Sequence, residues 1–451
     1  MSVVNAEQKM ITGAPINEFF RFVFPSVFGM LAISSAVIVD GIFIGNFVGS
    51  DALASVNLVM PLLALIYGLM IMMTVGASVI AGKYLGENNA PAASDVFSKT
   101  GIVVFLVSVA SALVMFVFPE LIVRGLGAMG TTVALSAEYL RVIAWFYPVL
   151  GMVVLLSQFA RVDGRPSFSL YGMIGITVSN IALDALLVGW LGWGLFGAAL
   201  ATGLAYITGA LIILMHFLGS KAVLEFVRPR GSWSVIPRAA INGFSEFLNE
   251  TSAGIVLFLL NWILMLHVGA SGVAAFTIVS YVFFIGLLVF YGVAEGIAPL
   301  ISVNFGARQP HRIYTFLILG VGFNLIIGGV IVLTMLIWSG ELVGVFLTAD
   351  ETEIRLLAVS IIGIVWPMFL FNGANIAVST YFTGMHCAKQ SAMIALARSL
   401  VLPVTLIYLF WQQFGYMGAF YALPIAEALA LLLSIMLFRS RTPYSMVRSA
   451  A

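Results

Sequence analysis

The sequence predicts an all-α integral membrane protein. It would have twelve transmembrane helices in two parallel six-helix lobes, related by a pseudo-two-fold axis along the membrane normal. Three observations carry this. The first is composition: 62% of the 451 residues are hydrophobic and only 9% charged, mean hydropathy is +1.11, and a soluble domain carries about 25% charge. The apolar residues come in runs of about twenty or more along the whole chain, the length that spans a bilayer as a helix; a transmembrane barrel would show short alternating segments. The second is the placement of basic residues. Of 20 Lys and Arg, all but Arg124, Arg141 and Arg355 fall on the side shared by both termini and the loops after even-numbered spans. That asymmetry marks the side as cytoplasmic and the span count as even. The third is an internal repeat. Val48-Gly49, Gly76 and Leu85-Gly86 match Val268-Gly269, Gly296 and Phe305-Gly306 at an offset of 220 residues, and Gly194 and Gly197 match Gly415 and Gly418 at 221. A constant offset across several glycines identifies two copies of one unit. Six spans per copy make both halves enter from the same side, a plan found in secondary transporters whose halves rock around a central site.

In chain order, the spans are read at 16–45, 53–81, 93–118, 133–160, 167–189 and 196–218 in the first lobe. The second lobe holds 238–266, 273–301, 313–338, 353–383, 391–411 and 418–438. The expected organisation is a first lobe over 1–218, a cytoplasmic linker over 219–237 and a second lobe over 238–451. The acidic loop Asp350-Glu351-Thr352-Glu353 falls on the outer side, as the charge rule expects. Met1 to Pro15 is polar and lacks the apolar core of a cleaved signal peptide, so the first span is expected to be retained. The localisation implied is the cell (inner) membrane, multi-pass, with both termini cytoplasmic.

Several functions are excluded. A formal net charge of +1 leaves no basic footprint for nucleic acid. The single cysteine, Cys387, permits no internal disulfide. Gly76-Ala-Ser-Val-Ile-Ala-Gly82-Lys83-Tyr84 resembles a phosphate loop only in outline. It has five residues between the glycines, not four, and Tyr84 where Ser or Thr must hold magnesium. The four histidines form no zinc motif and no serine sits in a nucleophile elbow. The expectation is a transporter and not an enzyme, with no cofactor beyond a coupling ion.

Charges inside spans are costly and mark function. Asp40 lies in an apolar run of the first span and Asp184 in the fifth, four residues after Asn180 and on the same helix face. Thr202 opens the next helix after the tight Gly192–Gly197 connection. Two carboxylates and two neutral oxygens in one dry site cannot both stay ionised and unpaired. Either the pair holds a proton or a cation neutralises it. The competing reading is that Asn180 and Asp184 merely glue helices. Glu246 and Glu250 share a face of the seventh span, Glu295 lies in the eighth and Glu427 in the twelfth, with no partner named by the sequence. Pro25 interrupts the helix that carries Asp40 and permits a kink. An aromatic content of 13% and 20 methionines suit a cavity for flat apolar ligands, and equally suit lipid-facing helices.

Taken together, Asp40-Gly-Ile-Phe-Ile-Gly45 with Val48 to Ala54, the Gly76 to Gly86 run, and Asn180-Ile-Ala-Leu-Asp184 with Gly197 to Thr202 resemble the multidrug and toxic compound extrusion (MATE) family over essentially the whole chain. The resemblance implies a secondary antiporter that exports hydrophobic, often cationic, drugs in exchange for H⁺ or Na⁺. In the DinF-like branch the matching residues line a cavity of the first lobe, which gives Asp40, Asn180, Asp184 and Thr202 the role of proton or Na⁺ site. A NorM-like branch is associated with a second-lobe cation site. Glu250 matches one of its acids, but Asn372 stands where the other is expected. Leu260 and Thr405 occupy the repeat positions of Asp40 and Asp184, so coupling is expected in the first lobe alone. Glu250, Glu295 and Asn372 are held as secondary candidates and Pro25 as a conformational one. The partners implied are small hydrophobic or cationic drugs and membrane lipids, with no nucleic acid and a monomeric state. Two rival readings are a lipid or polyisoprenoid-linked flippase of the same superfamily, whose members usually have fourteen spans, and a proton-translocating subunit of a membrane enzyme.

Overall fold

The computed structural model describes residues 6–344 and 351–449. Met1–Asn5 and Asp350 of the acidic loop lie outside them. Among the described residues, nine helices are long and apolar enough to cross a membrane. One of these, Ala388–Arg448, runs for 61 residues and breaks at Gly415, whose φ of 72° leaves the helical region, so it supplies two crossings. Two further crossings are bent pairs, Thr131–Ala144 with Tyr147–Val162 at 53° and Thr352–Val365 with Met368–Gly384 at 52°. Pro148 and Pro367 sit at these bends and remove the hydrogen bond that would continue the helix. The result is twelve crossings in two lobes. The unbroken ones are Pro15–Val48, Ser50–Gly86, Ala90–Val117, Pro166–Trp190 and Gly194–Leu218 in the first lobe, and Val235–His267, Ala270–Gly306 and Pro310–Ile337 in the second.

The crossings are joined on the terminus side by one recurring turn. After the second, fourth, eighth and tenth spans, a residue with positive φ (Asn88, Gly164, Arg308 and His386) ends the helix. In each, one backbone N–H reaches back five residues and its predecessor three, as in Asn89 N to the Tyr84 carbonyl and Asn88 N to that of Leu85. This double closure satisfies carbonyls that a helix end leaves free.

The lobes meet along a seam that explains the repeated glycines. The second span packs on the seventh, and by the pseudo-symmetry the eighth packs on the first. A Cβ on Gly76 would lie 1.9 Å from the Ala239 carbonyl oxygen, and one on Gly296, its repeat mate, 2.8 Å from the Val23 Cα. Gly86 and Gly306 meet each other across the axis: a Cβ on either would sit 2.0 Å from a carbonyl oxygen of the opposite helix. Only glycine lets backbones approach this closely, as small residues do at helix interfaces in lipid. All four glycines lie in the terminus-side halves of their spans, so the lobes are closed against each other at that end.

The stretch expected as a linker is anchored rather than loose. The backbone N–H groups of Val223 and Leu224 donate to the buried Asp163 carboxylate, which also meets His216 Nε2 at 2.6 Å. Further on, Val227 N donates to Ser98 Oγ and Arg230 N to Asp95. Buried Lys99 bonds Asp95 and the Ser232 carbonyl.

Candidate functional site

Among the described residues, three charged centres lie inside the membrane-spanning part. The first is in the first lobe. Asp40 stands one turn before the end of a regular α-helix, which continues as a π-helical segment, Ile44–Val48. Asp184 is the first residue of another, Asp184–Trp190. Widened turns of this kind free backbone groups and re-aim side chains, and they occur frequently at functional sites. The two carboxyl groups come within hydrogen-bonding reach of each other. Asp184 is fully buried. Neither of its oxygens, nor Oδ1 of Asp40, meets a donor. Beside them Asn180 Nδ2 donates to Thr202 Oγ1 at 3.4 Å, which leaves the Asn180 oxygen free. Tyr139 and Tyr206, from the fourth and sixth spans, lie close enough to Asp40 to feel its charge. The arrangement can hold a proton between two carboxyl groups, or a monovalent cation among four oxygens.

The second centre lies between the lobes. Buried Arg161, at the end of the fourth span, pairs with Glu295 of the eighth at 2.6 Å. Gln158 Nε2 donates to the other Glu295 oxygen at 3.1 Å. This pair ties the first lobe to the second. Glu246 and Glu250 lie near enough for their charges to act on each other and on Glu295. Glu250 is exposed, and its Cβ lies beside Gly68 of the second span.

The third is in the second lobe. Arg398 sits in a π-helical segment, Ala397–Val401, and is 5% exposed. Its Nε lies 3.4 Å from Glu427 Oε1, and its Nη1 donates to Asn249 Oδ1 at 3.3 Å and Tyr291 at 3.5 Å. Glu427 also accepts from Asn372 Nδ2 at 2.7 Å and Asn375 Nδ2 at 2.8 Å. Arg398, Glu427, Asn249 and Asn372 line a cavity of about 180 Å³. Most of its remaining wall is apolar, including Leu260, Phe276, Phe283, Phe284 and Met368, with Ser280, Tyr291 and Ser399 among them.

The structure therefore brings Asp40 to Asp184, and Asn180 to Thr202. It places Glu250 and Glu295 at the interlobe cleft and Asn372 on Glu427, away from the first-lobe pair. Pro25 lies in an unbroken helix between Val23 and Val27, which pack on Gly296 and Gly292 of the eighth span. One reading needs correction: Arg161 and Arg398, counted above with the terminus-side loops, are buried partners of Glu295 and Glu427. A basic residue near the end of an apolar run looks like a boundary, and hydropathy alone does not say which neighbour it faces. The charge asymmetry survives without them. The tyrosines near Asp40 were also missed; their only sequence signal was a polar tip in an apolar span.

Comparison with known proteins places the chain. The profile of the MatE family matches residues 25–186 and 250–409, one segment in each lobe. The multidrug export protein MepA of Staphylococcus aureus (strain N315) is 28% identical over 438 residues, covering 93% of both chains. That of Staphylococcus saprophyticus subsp. saprophyticus is 26% identical over 437 residues, with the same coverage. Among solved structures, the outward-facing conformation of a multidrug resistance MATE family transporter of the MOP superfamily superposes with a TM-score of 0.91 at 21% identity, covering 99% of each chain. A MATE in the bent conformation gives 0.90 at 21% identity, covering 98% of each chain.

Proposed function

The chain belongs to the MatE family, and from that premise we propose that it is a secondary multidrug efflux antiporter, exchanging hydrophobic, often cationic, drugs for H⁺ or Na⁺ by alternating access. The observation that carries this is the Asp40–Asp184 pair: a half-buried and a fully buried carboxyl group within reach of each other, with no donor or basic side chain among the described residues to neutralise them. Such a site has to take a positive charge, and it exchanges one for another at little cost. A proton shared between the carboxyl groups does so; Na⁺ held by Asp40, Asn180, Asp184 and Thr202 does so as well. Loading or emptying the pair changes the charge at the widened ends of the first and fifth spans, and so changes the first-lobe cavity. The seam glycines and the Arg161–Glu295 pair hold the terminus-side end shut in the state described, so release would be toward the opposite side.

With both termini cytoplasmic in the inner membrane, that opposite side is external and the direction is efflux. The assignment of 1–218 and 238–451 as the moving units, a monomeric state, and a cofactor list limited to the coupling ion belong to the same reading. A flippase or a proton-translocating subunit is disfavoured by twelve crossings and by relatives named as multidrug export proteins. The test is transport of a fluorescent cationic drug in proteoliposomes, with ΔpH and ΔNa⁺ imposed separately. One gradient should drive uptake in the wild type and neither in Asp40→Asn. Gradient-driven transport by Asp40→Asn would overturn the assignment of the pair.

A further inference from the structure

A polar pocket lies at the terminus-side rim, away from all three charged centres. It is lined by Lys83 and Tyr84 of the second span, Arg238 and Asn242 of the seventh, and His386 in the turn between the tenth and eleventh. Two of its polar atoms are buried without partners, Nε2 of His386 and Oδ1 of Asn242. Unsatisfied buried polar atoms are rare and call for an explanation. The amide orientation of Asn242 is fixed by its Nδ2, which donates to the Thr383 carbonyl at 3.1 Å. The turn holds His386 at a φ of 57°, a conformation that a side chain other than glycine adopts uncommonly.

The pseudo-symmetry supplies a control. At the repeat offset, Lys83 corresponds to Val303, Arg238 to Glu18 and Asn242 to Phe22. There the protein closes the position itself: Glu18 pairs with Arg21 at 2.7 Å, and Arg21 donates on to the Gly164 carbonyl. In the pocket no acid takes Glu18's part. Glu87 lies 3.7 Å from Lys83, one turn on, but the two side chains are 38% and 40% exposed, and such a pair contributes little.

We propose that this pocket binds a phosphate group that keeps a hydroxyl nearby, as in a hydrogen phosphate ion or the headgroup of phosphatidylglycerol. Lys83 and Arg238 would meet the charge, His386 Nε2 a phosphate oxygen, and Asn242 Oδ1 would accept from the hydroxyl. Ile241 lines the pocket and is 63% exposed, and nearby Phe244 is 42% exposed, which suits an acyl chain running into the bilayer. Lys83 belongs to the first lobe and the other groups to the second, so the bound phosphate would tie the lobes together at their closed end. Proton uptake follows from the same geometry. Burial first, then Lys83 and Arg238, hold His386 down at about 4. The charged groups around it are Lys83, with Glu87 behind it, and Arg238. An anion between them offsets the two cations and lifts His386 back toward its ordinary value, so binding should strengthen as pH falls.

The test uses the full chain in nanodiscs of phosphatidylcholine, with and without phosphatidylglycerol, and in detergent with inorganic phosphate. Phosphatidylglycerol should raise the unfolding midpoint by about 2–4 °C, and more at about pH 6 than at pH 8. Lys83→Gln/Arg238→Gln should lose that gain, while His386→Asn should keep it and lose its pH dependence. A gain with phosphatidylglycerol alone assigns the group to lipid; one with inorganic phosphate as well assigns it to a free anion. Direct phosphorus NMR of the bound probe covers the case of a variant that folds poorly. No gain with either probe, or an equal gain in the double variant, overturns the proposal.

Discussion

The two lobes descend from one repeat, yet their charged interiors are built on opposite principles. In the first lobe two acids face each other with no base. In the second an acid faces a base, Glu427 against Arg398, with three asparagines and a tyrosine completing the network. Where Asp40 stands in one lobe, Leu260 lines a largely apolar cavity in the other. A centre that pairs acid with base is neutral by itself; on the proposed reading, the acid pair takes its positive charge from solution. The backbone follows the charge: among the described residues, the three π-helical segments begin after Asp40, at Asp184 and around Arg398. Duplication therefore copied the seam and the turns, while the interiors diverged into an acid pair in one lobe and an acid–base pair in the other.

The largest effect should come from removing the acids. Asp184→Asn should bring gradient-driven export down to passive leak, measured in proteoliposomes, with the unfolding midpoint little changed. A midpoint that collapses would make Asp184 structural. Next is Arg398→Gln, which strands Glu427 buried without a cation and should cost about 3–5 kcal/mol, read by thermal unfolding. Arg398→Met/Glu427→Met should recover most of that stability and still respond to the gradient; loss of driven transport in a stable double variant would move coupling into the second lobe. Arg161→Gln should weaken the terminus-side closure by about 1.5–3 kcal/mol, the worth of hydrogen bonds to a charged group. The readout is faster thiol labelling of Ser302→Cys in a Cys387→Ser background, and an unchanged rate removes Arg161 from the closure.

Where the lobes are alike, the variants should be alike. Gly76→Ala and Gly296→Ala should each destabilise by about 1–3 kcal/mol through overpacking, whereas Gly322→Ala, with open space around it, should not. The smallest and most discriminating change is Thr202→Val. It should lower Na⁺-driven transport by about tenfold or less, a cost of about 1.4 kcal/mol, and leave H⁺-driven transport as it was.

Much of this was legible in the chain. Asp40 and Asp184 stand out because a carboxylate in an apolar run is costly enough to be rare, and Asn180 shows itself by helical spacing. The glycines at offset 220 announced the repeat before any contact was known. The Arg161–Glu295 and Arg398–Glu427 pairs were not legible, since each joins helices more than twenty residues apart and a pair energy depends on distance in space.

The sequence by itself determined the membrane class and the two-lobed repeat, and it singled out Asp40 and Asp184 as first-lobe candidates. These follow from hydropathy, charge placement and period, which are properties of local sequence. Only the tertiary structure decided that the repeated glycines form the seam, that two arginines are internal, and that the second lobe neutralises itself. Those outcomes depend on which helix faces become neighbours, and packing decides that.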